Sequence, residues 1–329
     1  MKRIMMTAAA LCFASVIFAY NPPIGGESLD RLVSPTQLTY ASSSAGGGIF
    51  TAGPDAIVFN PALIAYEQRI TLDAAYTALF SSDGGSKTFG SALQGGLLVP
   101  WKYFVASGVV KGVFLPIDKI DIGNTLGTNV GIAKEVSERL SVGVGMYGGL
   151  YWGHGSDWSF GANIGALYRI PRLGFMKDFR LGVSVLNLGK NYTSTDLIGM
   201  DGKSAGMFPM LGTVHAGVAA LFFANDHVKG GASFELITPG FQNLIVATGF
   251  QFSVNDALFL RIAEEVNIRE AIKLRDYDKH GNFMPAIGIG YRFTFKTKRN
   301  EYLKRNGWGE SDMTVNAGWQ QLYETVHAV

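Results

Sequence analysis

From residue 69 onward the chain alternates apolar and polar positions in about twelve segments of roughly ten residues, the length a tilted β-strand needs to cross a bilayer. The segments lie near 69–80, 88–99, 102–115, 127–135, 139–151, 157–169, 178–189, 210–222, 227–237, 242–252, 256–266 and 283–296. In 157–169, Trp158, Phe160, Ala162, Ile164, Ala166 and Tyr168 fall on one face; Ser159, Gly161, Asn163, Gly165 and Arg169 fall on the other, interrupted by Leu167. In 283–296, Ile287, Ile289, Tyr291, Phe293 and Phe295 oppose Ala286, Gly288, Gly290, Arg292 and Thr294. Period two places each set on one side of a sheet. Cost assigns the sides: an Arg facing lipid at the midplane costs about 2–4 kcal/mol. Arg69, Asp73, Lys229, Glu235, Arg261 and Arg292 are therefore expected to face a lumen, and the apolar set to face lipid.

The breaks support a barrel over a soluble sandwich. Breaks 81–87, 116–126, 190–209 and 267–282 are long and polar or charged, whereas the alternate ones, such as 100–101, 136–138, 223–226 and 253–255, are short. Outer-membrane barrels have tight periplasmic turns and longer external loops. The pattern predicts an all-β fold, a transmembrane antiparallel β-barrel of about 12–14 strands over 69–296.

Composition agrees. Charged residues make up 16% of the chain, against about 25% in soluble domains, and mean hydropathy is positive. Outside the N-terminus no segment approaches 18 uninterrupted apolar residues, which excludes helical spans. The 42 glycines suit strands carrying side chains into a crowded interior. A net charge of +2 points to no nucleic-acid partner. Lys2 and Arg3, the apolar run Ile4 to Phe18, and the small Ala19 predict a secretory signal peptide over 1–19 and Sec export to the bacterial outer membrane. Cys12, the sole cysteine, lies within it, so no disulfide is expected.

No enzyme chemistry, cofactor or metal site is expected. Gly143, Gly145 and Gly148 match a dinucleotide fingerprint but sit inside an alternating strand with no helix after it. Glu264 and Glu265 are adjacent and point to opposite faces, and the five histidines lack metal-ligand spacing.

Residues 20–68 read differently, as a compact stretch of small residues and prolines that forms either a periplasmic tail or a hatch or plug folded into the lumen. It contains Gly46, Gly47 and Gly48, then Asp55, then Phe59-Asn60-Pro61-Ala62-Leu63. This run resembles the hatch of the FadL-like long-chain fatty-acid transporters, an Asp followed shortly by Asn-Pro-Ala just before the first strand. Leu181 to Gly189, ending in Asn-Leu-Gly, is similar to a mid-barrel strand of the PorV-like branch and of spirochaete relatives. The resemblance implies passive uptake of a long-chain fatty acid or similar lipid, with Asn60, Pro61 and Ala62 in the plug and sideways release at a kinked strand. Asn60 would then satisfy backbone groups of the buried irregular segment. Strand 102–115 alternates poorly and carries Gly108 and Gly112, which marks it as the candidate kink and lateral opening. Residues 297–329 depart from the family's fourteen strands: a basic stretch is followed by Met313 to Trp319 as possible strand, then Gln320 to Val329 as helix. They are expected to form a periplasmic tail or a partial closing strand. Two alternatives remain open, a PorV-like component that binds surface or periplasmic protein partners, and a general porin. Outer-membrane lipids are partners in every case.

Overall fold

The computed structural model describes residues 43–46, 53–82, 88–117, 120–153, 155–190, 192, 212–240, 243–268, 271–272, 285–296, 310–323 and 326–329. The expected signal peptide 1–19, Gly47, Gly48, loop 193–209 and the basic stretch 297–305 lie outside them. The strands are β1 (Thr71–Ser81), β2 (Phe89–Pro100), β3 (Val105–Ile117), β4 (Ile120–Glu135), β5 (Leu140–Gly153), β6 (Gly155–Leu173) and β7 (Met176–Lys190), followed by β8 (Thr213–Ala224), β9 (Val228–Pro239), β10 (Ile245–Val254), β11 (Leu258–Asn267), β12 (Ala286–Lys296), β13 (Glu310–Tyr323) and β14 (Val326–Ala328). Each pairs antiparallel with the next, and β14 returns to β1, closing a barrel of fourteen strands. Closure satisfies every wall without an exposed sheet edge, the condition for strands in hydrocarbon.

The alternation is inside out relative to a soluble protein. Leu72, Tyr76, Val144, Ile164, Ile262 and Ile289 are exposed on the outer face, whereas Thr77, Gln94, Ser141, Asn163, Gln251 and Arg261 are buried on the inner one. Each large apolar side chain left in water forgoes about 1.5–3 kcal/mol, so this surface is built for lipid. The charged positions obey the same rule. Asp73 accepts a hydrogen bond from Gln94 Nε2 (2.6 Å), Arg261 Nη2 donates to Asn316 Oδ1 (2.8 Å), and the Arg292 guanidinium lies 4.9 Å from the Phe259 ring centre. At the strand ends, Lys229 pairs with Asp256 and Arg69 with Asp312.

Two expectations are corrected. Residues 116–126 do not form a long loop: β3 and β4 run on to Ile117 and from Ile120. The strands on this side are tall. The 19 residues of β6, at about 3.3 Å each and tilted about 40°, rise roughly 48 Å, well past a ~25 Å apolar band. Above the band no lipid demands an apolar outer face, so the alternation that marks a strand disappears. At the other end, Gln320–Tyr323 and Val326–Val329, expected as helix, are not helical. Gln320 continues the inward set of Asn316 and Gly318, and β13 runs on to Tyr323. Val326–Ala328 then pairs with both β13 and β1, and Ala78 and Val329 exchange reciprocal backbone hydrogen bonds.

Candidate functional site

Pro54 and Pro61 open two 3₁₀ turns, Pro54–Val58 and Pro61–Tyr66. Proline suits a first helical position, where its fixed φ is preorganised and no hydrogen bond is forfeited. Asn60 caps the second turn: its Oδ1 accepts from the Ala62 N–H (2.9 Å). Its Nδ2 donates to Ser44 O (2.7 Å) and Ala166 O (3.0 Å), so one amide serves three backbone groups. Gly46, with φ of +73°, closes a tight turn in which its N–H donates to Ser43 O (2.8 Å). A side chain is disfavoured at that φ.

Both pieces sit inside the barrel against lumen-facing side chains. Ser107 Oγ on β3 donates to Pro54 O (2.9 Å), Ser141 Oγ on β5 to Ala62 O (3.1 Å), and Ser184 Oγ on β7 to Phe59 O. Ala56, Ile57, Phe59, Leu63 and Ile64 form one apolar cluster with Leu98, Val105, Val109, Ala133 and Leu167 of the wall. Glycine provides the remaining surface. A Cβ on Gly143 would overlap Pro61, one on Gly165 would overlap Asn60, and one on Gly182 would overlap the Ser44 carbonyl. The backbone of this segment lies directly on the wall where the wall has no side chains.

Of the residues singled out in the sequence, Asp55, Phe59, Asn60, Pro61 and Ala62 are buried together in this segment, with Gly46 beside Leu63. Gly108 and Gly112 are placed otherwise. Both lie on the outer face and pair without interruption to β2 and to β4; the one register shift between β3 and β4 falls at Leu115/Pro116. A Cβ on Gly112 would stand 3.1 Å from the Phe114 ring, and one on Gly108 3.8 Å from Val130, both outward side chains. No kink or gap exists at this point. The poor alternation of β3 has another cause: Val105 and Val109 face inward but pack on the seated segment, so the inner face is apolar too.

Sequence reasoning missed the seat. Ser107, Ser141 and Ser184, and Gly143, Gly165 and Gly182, look like ordinary lumen residues in isolation. The available signal was their recurrence at inward positions of neighbouring strands. Asn187, in the Asn-Leu-Gly run, carries a β-bulge at φ +57°, and its N–H donates to Asn163 Oδ1 (2.7 Å). Farther toward the external end, Tyr147, Tyr151 and Tyr192 form a buried cluster, with Tyr147 and Tyr192 hydroxyls 3.2 Å apart and Lys111 Nζ 5.7 Å from the Tyr147 ring centre.

No protein-family model and no curated protein matches the sequence. Solved structures do. The TodX monoaromatic hydrocarbon channel, in a deltaS2 mutant, aligns over 91% of this chain and 98% of its own at 11% identity and a TM-score of 0.50. A Pseudomonas aeruginosa FadL homologue aligns over 90% and 97% at 15% identity and a TM-score of 0.47. The Ralstonia pickettii toluene transporter TbuX aligns over 91% and 98% at 13% identity and a TM-score of 0.47. The likeness is one of architecture, end to end: in fold, this chain is a closed antiparallel β-barrel of fourteen strands, like that of the TodX channel.

Proposed function

We propose that the chain is an outer-membrane channel through which hydrophobic molecules, long-chain fatty acids or similar lipids, diffuse without an energy source, and that the segment from Ser43 to Tyr66 is its plug. One observation carries the reading. The segment's described parts, Ser43–Gly46 and Gly53–Tyr66, fill lumen space yet belong to no strand ladder, and side-chain hydrogen bonds, an apolar cluster and bare glycine hold them. It can leave its seat without breaking the barrel. A lumen occupied in this way suits a gated route better than the open water-filled pore of a general porin. The neighbours named as a monoaromatic hydrocarbon channel and a toluene transporter support hydrophobic cargo.

Energetics constrain the passage. A buried methylene is worth about 0.8 kcal/mol, so a fully buried chain of about 16 carbons would be held by roughly 12 kcal/mol and escape slowly. The route must bury the ligand in part, or the plug must weaken the site as it moves. The test is saturable binding of a fluorescent long-chain fatty acid by the folded mature protein, and its transfer into proteoliposomes. Competition by unlabelled fatty acid supports the reading. A folded barrel that neither binds nor passes the probe refutes it.

A further inference from the structure

The Asn60-Pro61-Ala62 run is seated against β5 and β6, but the plug is also held from farther round the wall, at β8 and β9, by residues outside any hatch motif. Glu235 on β9 is 1% exposed, and His215 on β8 is 7% exposed. Glu235 Oε1 accepts the Ser44 N–H (2.9 Å) and lies 3.0 Å from His215 Nδ1. The carbonyl of the same residue, Ser44, accepts from Asn60 Nδ2 (2.7 Å). A single residue thus joins a buried wall carboxylate on one side to the capping amide of the plug on the other.

The surroundings fix this residue in place. Gly182 on β7 lies against the Ser44 carbonyl, and Gly217 on β8 faces its hydroxyl: a Cβ on Gly217 would stand 2.7 Å from Ser44 Oγ. Arg180 Nη1 approaches Gly46 at the end of the turn, its guanidinium otherwise engaged with Asp178. Hydrogen bonds to a carboxylate inside a protein are stronger than neutral ones, and a buried carboxylate stripped of its donors is costly. The Ser44 contact therefore has two states, seated or exchanged for water, with little between them.

We propose that Glu235, oriented by His215, is the latch of the plug. When the Glu235–Ser44 bond is exchanged for water, the Ser43–Gly46 turn lifts from its glycine seat and draws Asn60 with it. Glu235 and His215 are positioning residues, acting on the passage through Ser44. The inference rests on the plug-gated reading given above.

Two measurements on the purified full-length barrel in planar bilayers test it, with heat-modifiable gel migration as the check that each variant is folded. Glu235→Ala is expected to raise the open fraction of the ion conductance about tenfold (about 1.4 kcal/mol at 298 K), while Glu235→Gln, which keeps an acceptor for the Ser44 N–H, stays within a few-fold of the unaltered protein. In Ser44→Cys/Gly217→Cys the spacing matches that between a sulfur and the far Cβ of a disulfide, and Cys12 offers the only competing thiol. Oxidation is expected to abolish openings and probe transfer, and reduction to restore both. If Glu235→Ala conducts like the unaltered protein, or the cross-linked barrel passes the probe as well as the reduced one, the latch is overturned while the channel reading stands. If the unaltered protein passes no probe in either state, the channel reading itself fails.

Discussion

Replacing Asn60 by Ala removes the side chain that ties the Ser43–Gly46 turn to the Pro61–Tyr66 turn, and the structure sets the size of the effect. The lost cap of the second 3₁₀ turn costs about 1 kcal/mol. Ser44 O loses its amide donor and Ala166 O loses one of its partners, at about 1 kcal/mol net for each bond. The sum is roughly 2–4 kcal/mol, which shifts the ratio of ordered to locally unfolded segment about 30-fold to several-hundred-fold. Almost none of it falls on the barrel, because Ala166 O is the only wall group involved. Hydrogen exchange resolves the two levels: the Ala62 amide, bonded to Asn60 Oδ1, should lose protection by that factor, while amides between β10 and β11 keep theirs. Asn60→Asp sharpens the test. It restores the cap but turns a carboxylate oxygen toward two carbonyls, so it should be no better than Ala. Unchanged protection at Ala62 in Asn60→Ala would refute the assignment of Asn60 as the brace.

The glycine seat predicts a contrast between two faces of the wall. Gly182→Val should displace Ser44 and raise ion leakage without altering the folded gel mobility, whereas Gly148→Leu on the outer face, with nothing within 4 Å of its Cβ position, should change neither. The lipid-facing assignment predicts that Ile164→Arg destabilises the barrel by about 2–4 kcal/mol in vesicle unfolding titrations, since Ile164 is exposed at mid-strand. Removing the Arg69–Asp312 pair with Arg69→Ala should cost under about 1 kcal/mol in the same titration, because the Arg69 side chain is 63% exposed and such pairs are weak.

The strands and their facing were legible because each lipid-spanning strand must present apolar groups outward at every second position. Ile164 and Ile289 betray their strands without any knowledge of their neighbours. The signal failed wherever lipid was absent from one side. Ile120 to Asn124 rises above the apolar band and was read as loop; Gln320 to Tyr323 carries an outward Gln321 and was read as helix. In β3 the fault was of the opposite kind. Val105 and Val109 meet the seated segment, so an apolar inner face looked like a strand that had lost its register. The candidate site was half legible for a similar reason. Asn60 and its prolines act on their own neighbours in sequence, which a reader can see. Gly182, Ser184 and Glu235 matter only for what the fold lays across them, 125 residues away in chain for Ser184 and Phe59 and 191 for Glu235 and Ser44.

The same separation accounts for a rigid wall and, in the function proposed above, a removable occupant. Ladder hydrogen bonds join every strand to two neighbours, and in hydrocarbon no water competes for them, so opening the wall anywhere exposes unsatisfied backbone groups at several kcal/mol each. The described parts of the seated segment, Ser43–Gly46 and Gly53–Tyr66, join no ladder. Their carbonyls at Pro54, Phe59 and Ala62 rest on three serine hydroxyls, and Asn60 and Glu235 both bond to Ser44. Each of these bonds is made inside the lumen, where water can replace the lost partner; the neutral ones are worth about 1 kcal/mol each and the one to the Glu235 carboxylate about 1.5–3 kcal/mol. The barrel is therefore stable against fluctuations that suffice to lift the segment, and the weakest point of the assembly is the one residue on which two braces meet.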